Sequence, residues 1–253
     1  MFLGFAWRAG TCVLVACTKG VEAVHRLQHE KLHGKGTTFP YRAAPPSDLF
    51  KACRADGVWK PGEGADVADV LTKIQEMGGV PATATAIGTN AAPCFFLPLG
   101  SWQQHRWDDD DAGGLSPERV ADLLYNNGPC IGVLWVISPW YQPIDAADGD
   151  TLVYTTGGCG RSDDIRRLSE DLFDGHPVGW HAVVCFGYRF RDGHMHVLVL
   201  DNHTPTGPRR WIHVKEFHTL YTLTSLAPLG AIDRSPATRS VDFYFPFSTK
   251  NAL

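Results

Sequence analysis

Three residues could together do chemistry: Cys12 in AGTCVLVA, His181 in GWHAVVCFGY and Asn202 in VLVLDNHT. A thiol, an imidazole and an amide are the parts of a nucleophilic site. The imidazole takes the proton from sulfur, and the amide oxygen holds the ring in the tautomer that can do so. A cysteine at the start of a helix is further favoured as thiolate, by the helix dipole and by the imidazolium it creates. Such a sulfur attacks an acyl carbon, so acyl transfer or hydrolysis is the implied chemistry. The bland alternative reads Cys12 as a small buried thiol and His181 as a satisfied histidine at a strand end. Asn202 also opens NHT, a glycosylation pattern, but Pro205 follows closely and a catalytic role would bury the asparagine.

Placing these residues requires a helix and a hairpin. After Cys12, the residues Val13, Ala16, Cys17, Gly20, Val21, Val24 and Leu27 recur at helical spacing. That pattern predicts an amphipathic helix of about five turns, with Glu22, Arg26 and Glu30 facing water. The runs HAVVCFGYRF and HMHVLVLDN alternate as strands and are joined by RDG, a hairpin turn near Asp192. Antiparallel pairing about that turn sets His181 opposite His203 and beside Asn202, at one end of the hairpin.

The remaining chain divides by period. Ser47 or Asp48 is expected to cap a short helix reaching Cys53. Asp66 opens DVADVLTKIQEM, which Gly78-Gly79 closes. SWQQHRWDDDDAGG reads as an exposed loop and a domain boundary, its aspartates lacking the alternating spacing of a calcium loop. Ser116 and Pro117 start another helix, and CIGVLWVI and RRWIHV are further strands. A helical first half and a strand-rich second half predict an α+β fold, with a helical lobe over residues 1–115 and a β-rich lobe over 116–253.

Composition narrows the function classes. The 253 residues carry a net charge of −4, with 44% hydrophobic residues and no basic footprint for nucleic acid or anionic membrane. The longest apolar runs are too short to span a bilayer. No basic residue precedes the apolar MFLGFAW, so no cleaved signal is expected. Seven cysteines are an odd number, and none forms a CxxC pair. His194 and His196 share a strand face, with His213 or His218 in reach, but no third ligand stands at a defined spacing. Neither a metal nor a cofactor is expected.

In this order the motifs resemble the papain-like cysteine peptidase family. AGTCVLVA is similar to the family's entry to its central helix, and PPSDLFKAC to its short helix before a disulfide cysteine. GADVADVLTKIQEMGGV, LLYNNGPCIGVLWV, GWHAVVCFGY and VLVLDNHTPTGPRRWIHV resemble, in turn, its next helix, its second-lobe entry, its histidine strand and its asparagine strand. The resemblance covers most of the chain. It implies two lobes, one helical and one an antiparallel β-barrel-like sheet, flanking a cleft, and hydrolysis of peptide bonds through an acyl-thioester. By the same resemblance Cys12 is the nucleophile, His181 the general base and acid, and Asn202 the orienting residue. Gly62, Gly64 and Trp180 would line the substrate cleft, and Cys53 and Cys94 would form a disulfide. Polypeptide substrates, inhibitors of the papain-like family, and a vacuolar, lysosomal or extracellular setting are likewise implied.

The sequence also departs from the family. The glutamine expected six residues before the nucleophile, an oxyanion donor, is Ala6, and the shielding tryptophan two residues after the asparagine is Thr204. The front of the chain looks truncated against the family pattern. A papain-like homologue that binds peptides or proteins without turnover is therefore the alternative expectation.

Overall fold

The computed structural model describes residues 10–85, 95–106, 115–137, 141, 153–155, 172–173, 176–201 and 209–226. Helix α1 (Cys12–His33) is the central element and follows the predicted apolar stripe: Leu14, Ala16, Cys17, Val21 and Val24 are buried. Arg26 and Glu30 face water as expected, but Glu22 does not. It is buried beneath Lys19 and Arg26, whose side chains reach its two carboxylate oxygens at 3.1 and 2.6 Å. Pairing on both sides is what allows that carboxylate to leave solvent.

Two shorter helices pack beside α1. In α2 (Ser47–Ala55) Pro46 occupies the cap position, and neither Ser47 nor Asp48 caps it with a side chain. In α3 (Val67–Glu76) Asp66 caps as predicted, accepting from the Ala68 N–H at 2.7 Å. Leu49, Phe50, Val70, Leu71 and Ile74 from these helices pack on α1. Strands β1 (Tyr41–Ala43), β2 (Val80–Ala84) and β3 (Phe95–Leu97) form a small antiparallel sheet in sequence order.

The large sheet is built from β4 (Leu99–Arg106), β5 (Cys130–Ile137), β6 (Val153–Tyr154), β7 (Leu172–Phe173), β8 (His176–Arg191), β9 (His194–Leu200), β10 (Arg209–His213) and β11 (Phe217–Ser225). Its order is β4-β11-β5-β8-β9-β10-β6, with β7 pairing on β8. Among the described residues this sheet is open, so the barrel-like closure expected for the second lobe is not found. β4 is a second departure: SWQQHR, expected as loop, is a strand paired antiparallel with β11. The aspartates that follow it lie outside the described residues.

The sheet is covered on both faces. α1 packs against Ile131, Ala182, Val184, Tyr221 and Leu223, and Gly20 makes the approach possible. A Cβ there would meet Ile131 and Leu223 at 3.1 and 3.2 Å. On the other face lies α4 (Pro117–Asn127), capped by Ser116 as predicted. Its Val120, Leu123 and Leu124 pack in the cluster that holds Leu134, Val183 and Phe217. The α+β architecture is thus a large helix-covered sheet with a small three-stranded one beside it, and α1 brings its N-terminus to the level of Ala182.

Candidate active site

Cys12 is the first residue of α1, half-buried, and its setting begins two residues earlier. Gly10 has φ +84°, a conformation that a side chain disfavours, and its carbonyl accepts from Trp59 Nε1 at 2.9 Å. A Cβ at Gly10 would lie 2.5 Å from the Gly64 Cα. Gly64 is itself pinned by paired backbone bonds with Lys60, at 2.8 and 2.9 Å. Replacing Gly10 with alanine should therefore cost about 1–3 kcal/mol by overpacking. Thermal melts should show the loss, and Cys12 should lose reactivity as the helix start shifts. Thr11 caps without a side-chain bond, and the first helical bond runs from Val15 N to Thr11 O at 3.2 Å. The Cys12 N–H is thus one of the amides the helix itself does not use.

The imidazole comes from β8. His181 is 5% exposed, and its Nε2 is bonded to Asp201 Oδ1 at 3.1 Å, which leaves Nδ1 for the Cys12 sulfur. Asp201 is fully buried, and its other oxygen lies 2.8 Å from Arg210 Nε, an ion pair. The guanidinium covers the Tyr141 ring at 4.1 Å, and that ring meets His181 edge-on at 5.2 Å. Asn202, the expected orienting residue, lies outside the described residues.

Electrostatics favour charge separation at this pair. Burial alone would raise the Cys12 thiol, but the His181 bond and charge, with the Ala182 and Val13 N–H groups, bring it below its ordinary 9.0. For His181, burial would lower the imidazole. The Asp201 and Cys12 bonds and charges outweigh it, moving the group from 6.5 up to about 9. Both shifts point to thiolate and imidazolium. Cys17, Cys53 and Cys185 move the opposite way, each raised first of all by burial, Cys53 to about 11.

Asp201 was missed by the sequence reading, although a signal for it exists. The turn is Asp192-Gly193, both at positive φ (52° and 74°), as a two-residue hairpin requires. A bulge between Cys185 and Gly187 then shifts the register, which pairs Val184 with Leu200. Extending that pairing, position 201 faces Val183, two residues from His181 and so on the same face of the sheet. Adjacency in sequence is not adjacency on a pleated surface.

The cleft beside these residues has a volume of about 390 Å³ and is lined by Cys12, Gly64, Asp66, Arg106, Trp180 and His181, among others. Trp180, half-exposed, stacks on Trp135 with ring centroids 3.8 Å apart. On the wall from β4, the Gln104 amide oxygen accepts from the Tyr221 hydroxyl and the Arg106 guanidinium, each at 2.9 Å. Gly62, at φ +84°, serves the 60–64 turn and is not among the lining residues. Cys53 is a buried, unpaired thiol, and Cys94 lies outside the described residues, as does Ala6. No group of three His, Cys, Asp or Glu among the described residues could hold a metal ion. No described helix is long and apolar enough to cross a membrane.

Among solved structures the chain is similar to proCathepsin B S9 from Trypanosoma congolense, with a TM-score of 0.52 and 13% identity over 86% of this chain and 69% of that one. It is also similar to digestive procathepsin L 3 from the Tenebrio molitor larval midgut, with a TM-score of 0.50 and 13% identity. There it covers 87% of this chain and 64% of the other. No protein-family model matches the sequence. No curated protein matches it either. The chain therefore has the papain-like fold, in a strongly diverged sequence.

Proposed function

We propose that the chain is a papain-like thiol peptidase that hydrolyses peptide bonds. The observation that carries this reading is His181 held between the Cys12 sulfur and the buried Asp201 carboxylate. In the reaction, the Cys12 thiolate attacks the peptide carbonyl carbon while the Cys12 N–H, unused by the helix, donates to the forming oxyanion. The tetrahedral species collapses as the His181 imidazolium gives its proton to the leaving amine, and an acyl-thioester remains. His181 then takes a proton from water, whose oxygen attacks the acyl carbon. The thiolate leaves and the ion pair is restored. An extended peptide fits the cleft between Gly64 on one wall and Trp180 on the other.

Orientation of the ring is assigned to Asp201, in the role first expected of Asn202. Asp201→Ala should therefore depress turnover by more than Asn202→Ala does. An equal or larger effect at Asn202 would return the role to that residue. The functional test is cleavage of a mixed fluorogenic peptide set by wild type and Cys12→Ala. Turnover that vanishes with the thiol supports the peptidase. An alkylation-sensitive Cys12 without any turnover would instead favour the binding-only reading, which Ala6 at the oxyanion position motivates.

A further inference from the structure

Behind His181 the structure carries a charge that the peptidase reading does not use. Arg210 on β10 is 3% exposed, its guanidinium lies 2.8 Å from Asp201 Oδ2, and it is sandwiched against the Tyr141 ring at 4.1 Å. We propose that Arg210 is a positioning residue for His181: by pairing with Asp201 it makes that carboxylate a net-neutral hydrogen-bond partner, equivalent in charge to an amide. This rests on the reading of Cys12 and His181 as a thiolate–imidazolium pair.

The reason is a charge count in a site whose His181, Asp201 and Arg210 are buried. With Arg210, the buried set is Cys12 thiolate, His181 imidazolium, Asp201 carboxylate and Arg210 guanidinium, and the charges cancel. Without Arg210 the same set carries one net negative charge, and burying an uncompensated charge is strongly unfavourable. The easiest correction is to return a proton to sulfur. The imidazolium then pairs with Asp201 alone and the nucleophile is lost at neutral pH. An isolated buried carboxylate would thus orient the ring and disarm the thiol together. The Asp–Arg pair orients it without that penalty.

Among the described contacts of this set, no other cation pairs with Asp201. Tyr141 faces both His181 and Asp201, and burial, then the Asp201 charge, hold its hydroxyl protonated. Tyr154 on β6 packs edge-on against Tyr141 at 4.7 Å. His218 on β11 lines the cleft, and its ring meets the Trp180 indole at 5.0 Å. Glu216, buried beyond β10, accepts from the Thr155 hydroxyl at 3.1 Å. Apart from Cys12, α1 places no charged side chain against the ring in the described contacts.

The test is the pH dependence of Cys12 alkylation by iodoacetamide in the full chain, followed by mass spectrometry with thermal melts alongside. Arg210→Met should raise the pH midpoint of the reaction and slow it about tenfold at pH 6. Adding Asp201→Asn to Arg210→Met removes both charges and should return the midpoint to the wild-type value, as should Arg210→Lys. Asp201→Asn alone leaves the arginine uncompensated and should lower the midpoint. A purely structural arginine would lower the melting temperature in Arg210→Met while leaving every midpoint in place, and that result overturns the proposal. Where Arg210→Met does not fold, an unchanged midpoint in Asp201→Asn overturns it equally. If wild-type Cys12 itself reacts as an ordinary thiol, the peptidase reading fails instead, and the two failures are distinct.

Discussion

Replacing His181 with alanine slows alkylation of Cys12 by iodoacetamide at pH 6 about ten- to a hundredfold. An ordinary thiol titrates near pH 8.5, so at pH 6 only about 0.3% of it is thiolate. In the wild type the imidazole bonds the sulfur and stays protonated up to about pH 9, which raises the thiolate fraction above that of an ordinary thiol. A thiolate of lowered pKa is also a weaker nucleophile, which offsets part of the gain. In His181→Ala the main opposing influence on Cys12 is gone, and burial acts on it as it does on Cys17 and Cys53. Those two buried thiols are the internal controls, since both should resist the reagent in either protein. Equal rates at Cys12 in the two proteins would mean that no activated sulfur exists here.

The elements that carry Cys12 and His181 were legible because each is set by local chemistry. A stripe of small and apolar residues at helical spacing produced α1, and Asp192-Gly193 at positive φ produced the β8–β9 hairpin. Asp66 and Ser116 capped where their short oxygen-bearing side chains predicted. What was not legible depended on partners distant in the chain. SWQQHR has too little apolar content to read as a strand, yet as an edge strand it needs only one neighbour, and Trp102 packs its ring on Tyr221 of β11 at 6.0 Å. Glu22 read as exposed because the periodicity cannot register the two cations that cover it. Asp201, by contrast, was legible: the register that sets His181 opposite position 203 also sets position 201 against Val183, on the His181 face, as the observed pairing of Val184 with Leu200 does. Arg210 sits in the strand RRWIH beside a second arginine, and nothing local marks its charge as the one paired with an acid nine positions earlier.

The charge-separated pair also predicts an unusual dependence of stability on pH. His181, raised from 6.5 to about 9, contributes stability that is fully present below pH 6.5 and is lost as pH rises through about 9. Cys12, lowered from 9.0, contributes stability that is present above pH 9.0 and is lost as pH falls through its folded value. Where the folded Cys12 is already thiolate, below about pH 9, these two slopes oppose one another. The folded pair holds one proton, on nitrogen, and the unfolded chain also holds one, on sulfur. Wild-type stability should therefore depend less on pH, through this pair, between 6.5 and about 9 than it would with His181 alone. Cys12→Ser removes the compensating sulfur but leaves Asp201 to raise His181, so stability should fall by about 1–3 kcal/mol as pH rises through the same window. Thermal melts of both proteins at intervals from about pH 6 to about 9.5 read the difference directly. A wild type that loses stability in step with Cys12→Ser would show that the sulfur keeps its proton in the folded state, so that the buried imidazolium is paired with Asp201 alone.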